Sequence, residues 1–232
     1  MSEIEPKRAP AVAQQIAEVL IERIVAGVLP PGTPLRQDHV AAEFGASHVP
    51  AREALQFLCA QGLAISEPRR GIRVAPMDAL HQQEVIEMRA ALELLAFRHA
   101  AKQFNARHLA AIEAAVTAGE QAGSIVEWER ANRDFHAALV APCPMRRLLA
   151  VLGQLRLAHS RIVIAMERSA NWLPRSNHEH RQIYAALKAR DHLRATTLLT
   201  RHLHGIERPG ADGQAVEAEA PDAREPRARR DR

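Results

Sequence analysis

Aromatic residues are scarce in this chain: phenylalanine, tryptophan and tyrosine together make up 3% of its 232 residues. The apolar fraction is nevertheless 47%, so a core must be assembled mainly from Ala, Leu, Ile and Val. Stretches rich in Ala, Leu, Glu and Arg favour helix, which predicts a mainly α protein. Cysteine is also rare. Cys59 and Cys143 form neither a disulfide framework nor a metal-binding spacing, as expected in a reducing cytoplasm. No run of about 18 apolar residues is present, which argues against a spanning helix and a membrane partner. Met1 to Pro10 is charged and lacks the apolar stretch of a secretory signal. The predicted location is therefore the cytoplasm.

Net charge is +4, a weak pointer to an anionic partner. Its distribution tempers that pointer: net charge is zero over residues 1–76, +5 over 77–206 and −1 over 207–232. Only local clusters can therefore mark a nucleic-acid surface.

Four segments are predicted. Residues 1–10 form a flexible arm. Residues 11–76 begin with an amphipathic helix, Ala11–Gly27, on which Val12, Ile16, Leu20 and Ile24 recur at helical spacing. A Pro/Gly-rich break follows, then a short helix over Asp38–Phe44 and a tight turn at Gly45-Ala46. Ser47 suits an N-cap and Pro50 a first turn; that helix runs to Gln61, where Gly62 stops it. Leu63–Glu67 and Ile72–Ala75 read as a hairpin around Pro68-Arg69-Arg70-Gly71. Residues 78–206 read as helices alone, over 78–102, 106–122, 125–141, 145–170, 176–190 and 192–206. Asn105, Ser124 and Asp191 are the expected caps, and Pro142, Pro144 and Pro174 the breakers. Residues 207–232 combine Ala, Gly, Pro and charge, and are expected to be disordered.

Helix, short helix, turn, second helix and hairpin make a winged helix-turn-helix. Such a motif lays its second helix in the major groove of double-stranded DNA. The residues placed to touch an operator are Arg36, Ser47, His48, Val49 and Arg52, with the wing residues Arg69, Arg70, Gly71 and Arg73. Arg52 carries a planar fork suited to guanine or phosphate, and Val49 suits a thymine methyl. A blander reading remains: Arg52 could pair with Glu53 or Glu43, and Arg69 and Arg70 could simply solubilise a turn.

Twelve histidines are many for this length. Asn132 and His136 stand four apart on one helix face, and Trp128, Phe135 and Leu139 turn that face inward. His180 falls three before Ile183, and His202 three after Leu199, so both also point inward. Each lies 11 residues from Asp191. If Asp191 turns an antiparallel helix pair, the two imidazoles share a height. With His136 and the Asn132 carbonyl oxygen they would form a three-nitrogen, one-oxygen site for a divalent ion, zinc first, then nickel or manganese. The alternative is a set of hydrogen-bonded core histidines.

Two resemblances extend this reading. Residues 35–74 resemble the GntR superfamily of regulators. The carrying residues are Val40-Ala41, Gly45-Ala46-Ser47-His48-Val49-Pro50-Ala51-Arg52-Glu53-Ala54-Leu55, Gly62-Leu63 and Arg70-Gly71-Ile72-Arg73-Val74. His48 and Asp38 depart from the arginines common at those positions, which implies a different operator and weaker affinity. Residues 78–206 resemble the FCD ligand-binding domain of the FadR-like branch. That resemblance rests on Asn132-Arg133-Asp134-Phe135-His136, Glu179-His180, Ala186-Leu187, Arg190-Asp191, His202 and Glu87-Met88-Arg89-Ala90-Ala91-Leu92-Glu93. It implies a metal on Asn132, His136, His180 and His202, and a small carboxylate effector clamped by Arg89; Arg133 is a further candidate cation, and Arg156, His159 and Arg161 on the helix 145–170 are candidates to line the pocket. Asn132 is a neutral donor where many members carry Asp, which implies weaker cation binding; a salt bridge to Glu93 is the plain alternative for Arg89. The whole reads as a homodimeric, ligand-responsive, DNA-binding repressor rather than an enzyme. A metal-independent regulator with a structural histidine core is the first rival, and a His-cluster metallohydrolase the second.

Overall fold

A computed structural model describes residues 9–167 and 176–205. Its first unit contains α1 (Ala9–Val25), α2 (Gln37–Glu43), α3 (His48–Ala60), β1 (Ala64–Glu67) and β2 (Gly71–Val74). The second contains α4 (Ala79–Ala100), α5 (Ala106–Gln121), α6 (Ile125–Val140), α7 (Arg146–Glu167), α8 (Asn177–Lys188) and α9 (His192–Gly205). A single 3-10 turn, Ala101–Gln103, follows α4. The fold is mainly α, with a winged helix-turn-helix ahead of an all-helical bundle. Residues 1–8 of the expected arm, the tail from 207, Trp172, Pro174 and Ile206 lie outside the described residues, while Ala9 and Pro10, expected in the arm, open α1.

The first unit closes on Ile16, Leu20, Ile24, Leu35, Val40, Leu55, Leu58, Leu63 and Val74. Each such burial contributes about 1.5–3 kcal/mol before entropy is counted. Gly45 turns α2 into α3 at φ +58°, a conformation that L side chains resist. The hairpin pairs β1 and β2 antiparallel, with Ala64 opposite Val74 and Glu67 opposite Gly71. Its tip holds Arg69 at φ 65° and Gly71 at φ 76°, so the basic tip is a tight left-handed turn. Ser47 sits at the N-cap of α3 with an extended backbone, but its hydroxyl makes no capping bond. The expected cap therefore supplies position and leaves the hydroxyl free.

In the bundle the caps are made. Asp78 accepts from the His81 amide at 2.8 Å and Ser124 from the Glu127 amide at 3.2 Å. Asp191 accepts from the Arg194 amide at 3.0 Å. Asn105 and His108 form a reciprocal box at 3.1 and 3.3 Å, satisfying two donors that helix geometry orphans. Phe97, Ile112, Phe135, Leu139, Leu152, Ile183 and Leu199 form the core.

By length and hydropathy, Arg146–Met166 of α7 is apolar enough to cross a bilayer. Yet it buries His159, Ser160 and Arg161 and packs Leu157 against the core of the first unit, as the central helix of a bundle does. Three polar contacts add to the Leu157 junction: Gln154 Nε2 to the Ala60 carbonyl at 3.0 Å, Arg161 Nη2 to the Ala75 carbonyl at 2.7 Å, and Arg133 Nη2 to Glu22 Oε1 at 2.9 Å.

Candidate functional site

The start of α3 is presented to solvent. Ser47, His48, Val49 and Arg52 are exposed, as are Arg36, Arg69, Arg70 and Gly71. The pattern follows from the helix period: Pro50, Ala51, Ala54, Leu55 and Leu58 are buried, which turns 48, 49, 52 and 53 outward. Glu43, offered as a partner for Arg52, is instead paired with Arg23. Arg73 is half-buried and directed inward, donating to the Gly32 carbonyl at 2.9 Å and lying 3.7 Å from Glu67. It ties the wing to the α1–α2 loop while keeping part of its side chain exposed. His48 and Asp38, the two departures from the arginine pattern, lie 3.3 Å apart. Cys59 is half-buried rather than buried, and its burial raises the thiol pKa.

Inside the bundle, α6, α8 and α9 bring His136, His180 and His202 together. The Asp191 turn does set the last two level: their Nε2 atoms are 3.2 Å apart. His202 Nε2 is also 3.2 Å from His136 Nε2. All three rings are at least 97% buried, and the ring of Phe135 stacks on His180 at 4.0 Å. His178 and His204, which fall off the apolar stripes, are exposed.

Carboxylates behind the rings assign their tautomers. His136 Nδ1 is hydrogen-bonded to the buried Glu93, and His202 Nδ1 lies 2.7 Å from Glu179 Oε2. Each Nδ1 is thereby the donor, so a neutral ring keeps the lone pair on its Nε2. Burial first, then the Arg89 charge and neighbouring imidazoles, push the pKa values of His136 and His180 well below the ordinary histidine value. The hydrogen bond from His202 lowers that of Glu179.

A tightly packed polar cleft, with no room for a water molecule, adjoins His136. Arg89, Arg133 and Arg156 line it, with Glu129, Asn132 and His159. Arg89 Nε stands 3.3 Å from Glu93 Oε2, but neither atom is hydrogen-bonded among the described residues, and Arg133 Nη1 is likewise buried without a partner. Arg89 Nη1 reaches the His159 ring at 3.1 Å, and burial followed by that guanidinium keeps His159 well below its ordinary pKa. Glu129 accepts from Asn132 Nδ2 at 2.8 Å, and the Ser160 hydroxyl lies 2.6 Å from its other oxygen. Burial raises the Glu129 pKa.

The structure does not bring Arg161 to this cleft. Its guanidinium is committed to the Ala75 carbonyl, while Arg156 and His159, the other two pocket candidates on α7, do line the cleft. Glu129, Glu93 in its role behind His136, and Ser160 were not singled out as site residues. Glu129 could have been found from spacing, since it precedes Asn132 by three and His136 by seven on the inward face. Nothing in the spacing marks Ser160.

A winged helix-turn-helix joined to a helical bundle is the architecture of a DNA-binding transcription regulator. Residues 12–74 match the family described as bacterial regulatory proteins, gntR family, and residues 84–205 match the FCD domain. The probable D-xylose utilization operon transcriptional repressor of Paenarthrobacter nicotinovorans is 31% identical over 195 residues, covering 83% of this chain and 85% of that protein. The HTH-type transcriptional repressor GlaR of Escherichia coli K12 is 30% identical over 193 residues, 78% of this chain and 87% of GlaR. The fold of E. coli McbR/YncC superposes with a TM-score of 0.74 at 23% identity, covering 84% of this chain and 95% of that one. The chain belongs to the GntR family, in the FadR-like branch that carries an FCD domain. It is a DNA-binding transcription regulator and not an enzyme.

Proposed function

We propose that the bundle holds one divalent ion on His136, His180 and His202 with Asn132, and that a small organic acid binds beside it on Arg89, Arg133 and Arg156. The observation that carries this reading is the pair of facing Nε2 lone pairs. His136 and His202 each spend their Nδ1 proton on a carboxylate, so no proton remains for the 3.2 Å contact between their Nε2 atoms. Two such lone pairs repel unless a proton or a metal ion stands between them, and the third imidazole nitrogen, 3.2 Å from His202 Nε2, suits the metal. A tetrahedral ion with zinc–nitrogen bonds of about 2.0–2.1 Å holds its nitrogens about 3.3 Å apart. Two of the three contacts have that length, and all three nitrogens lie within 4.8 Å of one another. A carboxylate behind a metal-bound imidazole is the usual outer-shell arrangement. When bound, such an ion would supply positive charge for an effector carboxylate.

The head reads DNA through Arg52, with Arg36, Ser47, His48 and Val49 along the same face and Arg69, Arg70 and Gly71 at the wing. A homodimer in the cytoplasm would match a near-palindromic operator, and the named relatives favour repression. Arg52→Ala should weaken operator binding about 10- to 100-fold, the range of a lost bidentate contact, with an unchanged circular dichroism spectrum. Gel-shift titration checks it, and undiminished binding would remove Arg52 from the interface.

Coupling between cleft and head would run in part through Arg133, which lines the cleft and also binds Glu22 on α1. An effector can bias the heads only by its differential affinity for their arrangements. The ion pair is half-exposed at Glu22, so its share is modest. Glu22→Gln should leave metal and effector binding unchanged and alter the effector's influence on operator affinity about two- to fivefold. Anisotropy titrations with and without effector measure that ratio; an unaltered ratio would exclude this route.

A further inference from the structure

We infer that Glu129 is the positioning residue that lets Asn132, a neutral amide, serve as the oxygen donor of the metal site. The inference rests on the metal reading above and goes beyond it, because it assigns work to a buried acid outside the ligand set.

Glu129 is 1% exposed and forms no ion pair among the described residues. Burying a carboxyl group without a direct ion pair is costly, and the nearby charges of Arg89 and Arg133 offset only part of that cost. Its hydrogen bonds show what it does instead. One oxygen is held against the Ser160 hydroxyl of α7 at 2.6 Å. The other accepts Asn132 Nδ2 at 2.8 Å. An unprotonated carboxyl oxygen can only accept, so this contact fixes which end of the Asn132 amide is nitrogen. The Oδ1 atom is left as the free end, on a residue one helical turn from His136 and lining the same cleft.

Two consequences follow from that geometry. The amide is locked in one rotamer, so the donor oxygen costs little entropy to order. Donation of its N–H polarises the amide and makes Oδ1 more negative, since hydrogen bonds in a chain strengthen one another. Acid and amide have in effect exchanged stations: the ligand is the amide, and the carboxyl group stands one step further out.

The test uses the full chain, stripped with chelator and titrated with Zn²⁺ against a chromophoric competitor, with circular dichroism to check the fold. Glu129→Gln is isosteric and should weaken Zn²⁺ binding about 10- to 100-fold, the usual range for an outer-shell partner. Adding Asn132→Asp to Glu129→Gln keeps one acid, one amide and the hydrogen bond between them, and should restore wild-type affinity or better. In an Asn132→Ala background, Glu129→Gln should change affinity by less than about twofold, because a residue acting only through Asn132 has nothing left to act on. Should Glu129→Gln fail to fold, Ser160→Ala frees the same carboxyl group and should weaken binding in the same direction. Unchanged affinity in Glu129→Gln, or a loss that the exchanged pair does not repair in a folded protein, overturns the inference while the metal site stands. A wild-type chain that takes up no Zn²⁺ overturns both.

Discussion

Zn²⁺ added to chelator-stripped protein should raise the melting temperature by roughly 5–10 °C, and His202→Ala should abolish that rise. The size follows from linkage. An ion at 100 times its dissociation constant that binds only the folded chain adds about 2.7 kcal/mol, and each kcal/mol shifts the midpoint about 2–4 °C at this length. His202 is chosen because its Nε2 is the one atom 3.2 Å from both other imidazoles. Removing it leaves His136 and His180 without their common neighbour and frees Glu179 from its partner. The same truncation should cost the metal-free protein less than its burial suggests, because it also relieves facing lone pairs in a dry interior. His178→Ala, exposed and two residues from His180, serves as the control and should retain the full rise. If Zn²⁺, Ni²⁺ and Mn²⁺ all leave the wild-type midpoint in place, the three histidines are core residues and the metal-independent reading takes over.

Much of this architecture could be read from residue order because local signals and tertiary demands agree. Asn105, Ser124 and Asp191 cap helices as their chemistry suggests, and the apolar stripe of α6 points Asn132 and His136 into the bundle. The equal spacing of His180 and His202 from Asp191 was enough to place the rings together, since an antiparallel helix pair turns sequence distance into height. Where the reading stops short, the missing interaction comes from another element. Arg73 and Arg161 are long cations whose registers admit two destinations. Each donates to a backbone carbonyl, Gly32 or Ala75, that periodicity does not reveal. Ser47 holds the cap position without the cap bond. The spacing of Glu129 places it on the inward face, but its role rests on partners on α6 and α7, Asn132 and Ser160, that only the fold brings to it. The pairing of His48 with Asp38 is of the same kind: two departures from the arginine pattern, ten residues apart in sequence, prove to be one contact on the presumed reading face.

Acid should unfold the metal-free chain steeply between pH 6.5 and 5. Burial, then the charge of Arg89 and neighbouring imidazoles, holds His136, His159 and His180 well below the ordinary histidine pKa. In the unfolded chain the same groups titrate near about 6.5. Below that pH the unfolded state therefore binds more protons, and stability falls as pH falls; above about pH 7 all three are neutral in both states and their contribution is complete. Each proton taken up on unfolding is worth about 1.4 kcal/mol per pH unit. Glu129 works against this trend. Its raised pKa means that the folded state takes up a proton first, which offsets one of the three while it titrates. The net slope should approach about 3 kcal/mol per pH unit, a large share of the roughly 5–15 kcal/mol that holds a domain together. Glu179, whose pKa is lowered, adds to the loss only as pH falls through the carboxylate range. Urea midpoints at pH 7.5, 6.5, 5.5 and 5.0 in the presence of chelator measure the slope. His159→Gln removes one of the three protons without touching a proposed metal ligand, and should flatten the slope by about 1.4 kcal/mol per pH unit. A stability that stays level from pH 7.5 to 5.5 would mean that water or a counter-charge reaches these rings, and the dry, neutral imidazole cluster would have to be abandoned.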